Sequence, residues 1–155
     1  MKLLVFSDSH GELARMKRAV EREKPDLLIH LGDYWRDGER LAEQFPQLRM
    51  EQVPGNCDGS TVHETERMIY PAGVGILLMH GHSRSVKSSL LPAAYAARER
   101  GAQLLLFGHT HVPTIETMGG LWLMNPGSIG RGRPATYGVV ELRAGELRPA
   151  LYAAE

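Results

Sequence analysis

Short apolar runs alternate along the chain with polar stretches rich in glycine. Residues 3–6 (Leu-Leu-Val-Phe) read as a buried strand. Over 11–24, Leu13, Met16 and Val20 recur near helical spacing with charges between them, which predicts an amphipathic helix ended by Pro25. Residues 27–29 give a second buried strand. Residues 37–45 give a short helix, capped by Asp37 and stopped by Pro46, and 48–53 a third strand. A strand–helix–strand rhythm of this kind implies parallel strands with helical crossovers.

The rhythm then changes. Residues 63–70 and 74–79 flank Pro71-Ala72-Gly73 and predict a hairpin. The alanine-rich stretch 88–100 is helical up to Gly101, and 104–107 is another buried strand. Strands at 114–117, 121–124, 137–142 and 146–152 follow, separated by Gly-Gly, Asn-Pro-Gly-Ser and Ala-Gly turns that favour antiparallel hairpins. The expected architecture is two sheets packed face to face with helices outside, in a single domain over 1–155.

Composition narrows the classes. The 155 residues carry 18 Lys+Arg and 18 Asp+Glu, so the formal net charge is zero. A broad nucleic-acid surface would show a basic excess; a nucleotide or RNA end held locally by a metal is not excluded. Cys57 is the one cysteine, so no intramolecular disulfide forms and a reducing compartment fits. No apolar run approaches the roughly 20 residues of a membrane span. The apolar stretch at 3–6 is shorter than the core of about 7–15 residues in a signal peptide. The reading is a cytoplasmic protein with no membrane partner. A homo-oligomer is compatible with so small a chain.

The chemistry sits at the strand ends. The apolar runs are followed by Asp8-Ser9-His10, by His30-Leu31-Gly32-Asp33, by Gly55-Asn56-Cys57-Asp58, by His80-Gly81-His82 and by Gly108-His109-Thr110-His111. In α/β sheets that edge is where ligands bind. A lone histidine at a strand end is more often a polar cap, and an Asp before a turn is usually a turn or cap residue. Five such blocks in one short chain are a pattern. The candidate ligands are Asp8, His10, Asp33, Asn56, His80, His109 and His111. Two carboxylates, an amide and four imidazoles suit Mn, Fe, Zn, Ni or Co. They exceed the needs of one tetrahedral centre. They suit two ions about 3.5–4 Å apart, the arrangement of two-metal phosphoryl hydrolysis.

This ordered set resembles the calcineurin-like metallophosphoesterase superfamily. The short length, the Gly-Asn-Cys-Asp block and Asn125-Pro126-Gly127-Ser128 resemble its small bacterial and archaeal phosphodiesterases, relatives of the retromer subunit Vps29. The resemblance covers nearly the whole chain. It implies a four-layer α/β/β/α sandwich of two mixed sheets flanked by helices, with two divalent ions, Mn²⁺ or another first-row metal. Asp8, His10, Asp33 and His111 would hold one ion. Asp33, Asn56, His80 and His109 would hold the other, with Asp33 bridging. Asp33, Asn56 and His109 are the residues expected to carry catalysis. A hydroxide bridging the ions would attack a small phosphodiester or nucleotide-like substrate. The alternatives are a metal-dependent phosphomonoesterase and a Vps29-like interaction scaffold.

Around this set, Asp58 is expected to orient a ligand or water. His82 does the same, touches substrate, or is a hydrogen-bonded loop residue. His30 fits a supporting role and His63 none. Many phosphatases of the superfamily carry His where this chain has Cys57, and that His is thought to protonate the leaving group. A thiol replaces it poorly, which favours diesters and acidic leaving groups over protein phosphatase activity. Trp35 and Arg36 either stack a base and bind a phosphate or pack over the loop. Arg84 is a candidate phosphate contact. Arg131-Gly132-Arg133 flank the site or form a solvated loop.

Overall fold

A computed structural model describes residues 1–59 and 62–154. The chain begins with β1 (Lys2–Phe6), α1 (Leu13–Glu23), β2 (Leu27–His30), α2 (Trp35–Gln44) and β3 (Arg49–Gln52). Strands β1, β2 and β3 are parallel neighbours, with Leu3 opposite Leu27 and Leu27 opposite Arg49. Helix α1 turns Met16, Ala19 and Val20 inward and ends at Lys24, whose left-handed backbone lets its N–H bond to Val20. The predicted rhythm is present, with one displacement. Helix α2 starts two residues before Asp37, which therefore lies in the first turn rather than at the cap, and is buried.

The second sheet opens with the hairpin β4 (Glu66–Ile69) and β5 (Ile76–Met79), joined through a short 3₁₀ turn at Pro71–Gly73. Helix α3 (Leu91–Glu99) then crosses to β6 (Leu104–Leu106), parallel to β5. The hairpins β7 (Thr114–Met118)–β8 (Leu121–Asn125) and β9 (Thr136–Arg143)–β10 (Glu146–Ala153) are antiparallel as expected. The Asn125-Pro126-Gly127-Ser128 segment is not a third hairpin turn. β8 pairs in parallel with β6, whereas β9 pairs with β1, so this segment carries the chain from one sheet to the other. The sheet orders are β10-β9-β1-β2-β3 and β4-β5-β6-β8-β7.

Three apolar layers bind the four structural ones. Leu3, Val5, Leu27 and Ile29 meet Ile76, Leu78, Leu104 and Leu106 between the sheets. Leu4, Phe6 and Leu28 face the other way, onto Met16, Val20 and Leu41 of the first two helices. Leu77, Met79 and Leu105 lie under the alanines of α3, where Ala93, Ala94 and Ala97 let the helix approach closely. The central strands are buried on both faces, which is why they read as unbroken apolar runs. The result is the α/β/β/α sandwich.

A strand with one wet face would tolerate truncation on that face. Here Leu105→Ala and Leu106→Ala, on opposite faces of β6, are each expected to cost about 2–5 kcal/mol. Urea denaturation of both variants checks this, and a near-neutral result for either would mean that one face is open.

Candidate metal centre

The carboxyl ends of the parallel strands from both sheets meet at one edge. Backbone bonds stitch the loops there: Asp8 N–H to Gly32 O at 2.9 Å, Gly108 N–H to His80 O at 2.9 Å, and Ile129 N–H to Ser7 O at 3.2 Å. The loops bend sharply to turn side chains inward. Asp8, His10, Asp33, Tyr34, His109 and His111 all have φ between 45° and 71°. Left-handed backbone is costly for such residues and persists where surrounding structure enforces it. Several of the motif positions require glycine. A Cβ on Gly55 would collide with the Asp33 carboxylate, and one on Gly108 with the Ser7 hydroxyl.

Asp8 is fully buried and Asp33 is 3% exposed. The ligand atoms of Asp8, His10 and His111 lie within 4.8 Å of one another, and so do those of Asp8, Asp33 and His80. Asp8 Oδ1 is 3.1 Å from His111 Nε2 and 3.8 Å from His80 Nε2. Asp33 spans the same gap, with Oδ1 3.5 Å from His80 Nε2 and Oδ2 3.9 Å from His10 Nε2. Both carboxylates thus stand between the two histidine groups, and the one common to both triads is Asp8. His109 is set farther out. Its ring centroid is 5.1 Å from that of His80, while its backbone N–H bonds to Asp8 Oδ2 at 3.1 Å.

His80 provides the test of fit for a cation. Its Nδ1–H donates to the Leu31 carbonyl at 2.8 Å, which in the neutral ring, the form that binds a metal, leaves Nε2 as a bare lone pair. That buried atom has no hydrogen-bond partner and faces two carboxylate oxygens. Both nitrogens of His10 are buried and unpartnered as well. Acceptors facing acceptors repel, and a buried polar atom without a partner costs about 1–3 kcal/mol. A cation among them reverses the sign. The set is nitrogen and oxygen only, the chemistry of a first-row divalent ion.

Protonation also favours binding. Burial first, then the Arg131 charge, lowers the pKa of His10. Burial and then His80 lower that of His82, and burial, His80 and Lys87 lower that of His109. Neutral imidazoles are the ligand form. Burial alone would raise the Asp33 carboxyl. The opposing pull that His80 exerts when protonated, together with the Cys57 N–H, outweighs it and keeps Asp33 below the ordinary value.

A supporting layer holds these groups. Asp58 accepts from the backbone N–H of Asp33 at 3.0 Å, Trp35 at 2.8 Å and Gly55 at 2.7 Å. It orients the Asp33 loop through the backbone. His30 accepts from Gly32 N–H at 3.2 Å and donates through Nε2 to Ser9 Oγ at 2.9 Å. Ser9 donates onward to Asp37 Oδ2 at 2.7 Å, which also accepts from Gly11 N–H at 2.7 Å. This chain fastens the Asp8–His10 loop to the Asp33 loop. Asn125 donates to Gly108 O at 3.0 Å and Thr110 Oγ1 at 2.9 Å, and Ser128 donates to Asp8 O at 2.8 Å. The sequence reading missed Ser9, Asp37, Asn125 and Ser128. For Asn125 a signal existed, since it follows a sixth apolar run ending at the same edge.

The remaining expectations lie at the margin of the cluster. Asn56 is exposed on a 3₁₀ turn (Asn56–Asp58), its amide 3.8 Å from Cys57 Sγ. His82 stands behind the cluster, its ring centroid 5.5 Å from that of His80 and 6.1 Å from that of His109. Arg84 is a correction. Its guanidinium is forked onto Glu66 at 2.6 and 2.9 Å, which commits it there and not to a phosphate. Burial and then the neighbouring Asp33 carboxylate raise the Cys57 thiol above its usual value, so it is protonated and no nucleophile.

Comparison with known proteins identifies the family and the fold. The calcineurin-like phosphoesterase superfamily domain matches residues 1–145, and the chain belongs to that superfamily. It is 36% identical over 132 residues to the probable metallophosphoesterase YsnB of Bacillus subtilis, covering 83% of this chain and 75% of that one. It is 29% identical over 172 residues to the phosphodiesterase YfcE of Escherichia coli, covering 91% and 88%. A predicted phosphoesterase from Streptococcus pneumoniae superposes with a TM-score of 0.84 at 27% identity, covering 98% of this chain and 88% of that one. Vps29 of Entamoeba histolytica, solved with zinc, shares the fold, with a TM-score of 0.75 at 19% identity over 99% of each chain. Among the described residues, no helix is long and apolar enough to cross a membrane.

His30 yields a pH prediction. Burial drops its pKa to about 4, so it is neutral in the fold. Its unfolded value is about 6.5. As pH falls from 6.5 to 4 the unfolded chain gains a proton that the fold does not, so stability is full above that window and is lost across it. The loss is about 3 kcal/mol from this residue. Denaturation of metal-stripped protein at pH 7 and pH 4.5 is expected to show the fall, with a smaller one in His30→Gln. An equal fall in both would deny His30 its part.

Proposed function

We propose that this protein is a metal-dependent phosphodiesterase whose edge cluster holds two divalent cations, manganese being the ion to test first. One observation carries the reading. Two buried carboxylates interleave with imidazole nitrogens that have no partner, at the sheet edge of a phosphoesterase fold. We assign Asp8, His10 and His111 to one ion and His80 and His109 to the other, with Asp33 shared between them; Asn56 would turn inward from its exposed position to join the second. When bound, such a pair supplies a water-derived nucleophile near neutral pH and offsets charge on the phosphoryl oxygens.

The chain's own residues do the rest. Asp58 and the Cys57 N–H fix the Asp33 carboxylate before substrate arrives. The Asn56 amide is exposed beside Cys57, and in this reading it meets a phosphate oxygen. Arg131 and Arg133 are exposed on the loop after Ser128, whose hydroxyl accepts from Arg131 N–H at 2.7 Å. With Arg15 they line a cleft of about 640 Å³, and Arg131 is near enough to His10 to lower its pKa. In a chain of zero net charge this is a local attraction for an anion.

Cys57 favours diesters. A leaving alkoxide needs a proton, and a thiol with a raised pKa donates it poorly. The printed name of YfcE, a phosphodiesterase, is consistent with this.

Metal-stripped protein reloaded with Mn²⁺ is expected to hydrolyse an aryl phosphodiester faster than its monoester. Asp33→Asn should lose about a hundredfold or more in kcat, and Cys57→His should raise turnover of an alkyl phosphomonoester about tenfold or more. A monoester preference would refute the diesterase reading, and turnover of an alkyl monoester as fast as of the aryl one would refute the argument from Cys57. Absence of turnover with every first-row divalent ion would favour a Vps29-like scaffold.

Arg131→Glu is expected to raise KM for the diester about fivefold at low salt with little change in kcat. The effect should shrink as salt is added. An unchanged KM would make that loop a bystander.

A further inference from the structure

A second feature begins where the cluster ends. Directly after Asp33 the chain enters Tyr34 and Trp35, and a cleft of about 510 Å³ opens beside them. Arg36, Glu39, Cys57 and His63 are among its other walls. The volume lies within the ~300–1,000 Å³ of small-molecule sites. The cleft joins the cluster at two points. The Tyr34 ring stands edge-on to His10, with centroids 5.0 Å apart. Cys57, in the opposite wall, bonds through its N–H to Asp33 Oδ1 at 2.9 Å. The cleft therefore adjoins the cluster, sharing Tyr34 and Cys57 with the residues that pack on His10 and Asp33.

The aromatic wall is built and held. The Trp35 indole stacks on the His63 ring with centroids 4.1 Å apart and planes 15° from parallel. Its Nε1–H donates to Glu39 Oε1 at 3.0 Å, and its backbone N–H to Asp58 Oδ1 at 2.8 Å. The core does not need it: Trp35 belongs to none of the three apolar layers. A fixed, half-buried indole is a stacking platform for a planar ring. A bare aryl group would use that wall alone. Arg36 and Glu39 add a cation and a carboxylate to the same cleft, which matches an occupant carrying a planar ring together with amino or hydroxyl groups.

We propose that this cleft is a nucleoside subsite and that the substrate is a nucleotidyl phosphodiester. The base stacks on the Trp35–His63 pair while the phosphorus lies at the Asp8–Asp33 cluster. The substrate assignment rests on the diesterase reading; the stacking does not.

Two measurements separate them. In a Trp122→Phe background, Trp35 is the only indole. In that variant, stripped of metal, adenosine 5′-monophosphate is expected to quench the fluorescence saturably and ribose 5-phosphate is not. In Mn²⁺-loaded protein, Trp35→Ala is expected to lower kcat/KM about tenfold for the p-nitrophenyl ester of thymidine 5′-monophosphate. The same variant should leave methyl p-nitrophenyl phosphate within about twofold. Both substrates release the same phenolate, so the difference reports the nucleoside. Quenching without turnover of either ester would sink the diesterase and keep the subsite. Absence of saturable quenching, or an equal loss on both esters, would overturn the subsite and keep the diesterase.

Discussion

The structure is organised around a repulsion. Asp8 and Asp33 are buried side by side, and the nitrogen that His80 turns toward them is a lone pair. In a medium of low dielectric such an arrangement is unfavourable until a cation enters. The fold therefore has to hold these groups together against their own electrostatics. That requirement explains features which otherwise look uneconomical: left-handed backbone at Asp8, His10, Asp33, His109 and His111, and glycines with no room for a Cβ. It also explains a carboxylate, Asp58, committed wholly to backbone N–H groups.

The holding force comes from the sandwich. Each central strand is clamped between two apolar layers, so its carboxyl end is a fixed point. The loops are short enough that a few bonds finish the work. The His30–Ser9–Asp37 chain ties two loops of one sheet, and Asp8 reaches across to the other through His109 N–H. His30, neutral when buried, brings no charge of its own to this tie. Rigid strands thus place the groups to within ångströms, and polar bonds set their orientation.

How much of this was legible in the sequence follows from the same division. Runs such as residues 3–6 and 104–107 are visible because burial on both faces leaves no polar alternation. The residues after them stand out because strand ends turn sharply into chemistry. Asp37 was misread because Asp near a helix start usually caps it; here the tertiary partners Ser9 and Gly11 claim the carboxylate. The Asn125–Ser128 segment has the composition of a hairpin turn, and only the pairing of β8 with β6 and β9 with β1 reveals a crossing between sheets. Arg84 had the charge for a phosphate contact, but Glu66, 18 residues earlier, takes its fork. Local pattern gives the element and the residue type; the partner across the fold decides what a polar side chain does.

The same division separates chemistry from selectivity. The carboxylates of the cluster are buried and the His10 side chain is 6% exposed, while that of His111 is 36% exposed, so only the outer edge of the cluster is open to a phosphoryl group. What distinguishes one ester from another must be bound outside it. Two unlike surfaces adjoin the cluster: the arginine cleft by His10 and the aromatic cleft by Asp33. Remote contacts raise the rate only when they are used to hold the reacting group in place. The aromatic cleft is built for that, since its wall is continuous with the loop that carries Asp33. Asp58 bonds both Asp33 and Trp35, so a ring stacked on Trp35 is referenced to the same carboxylate that positions the reacting centre.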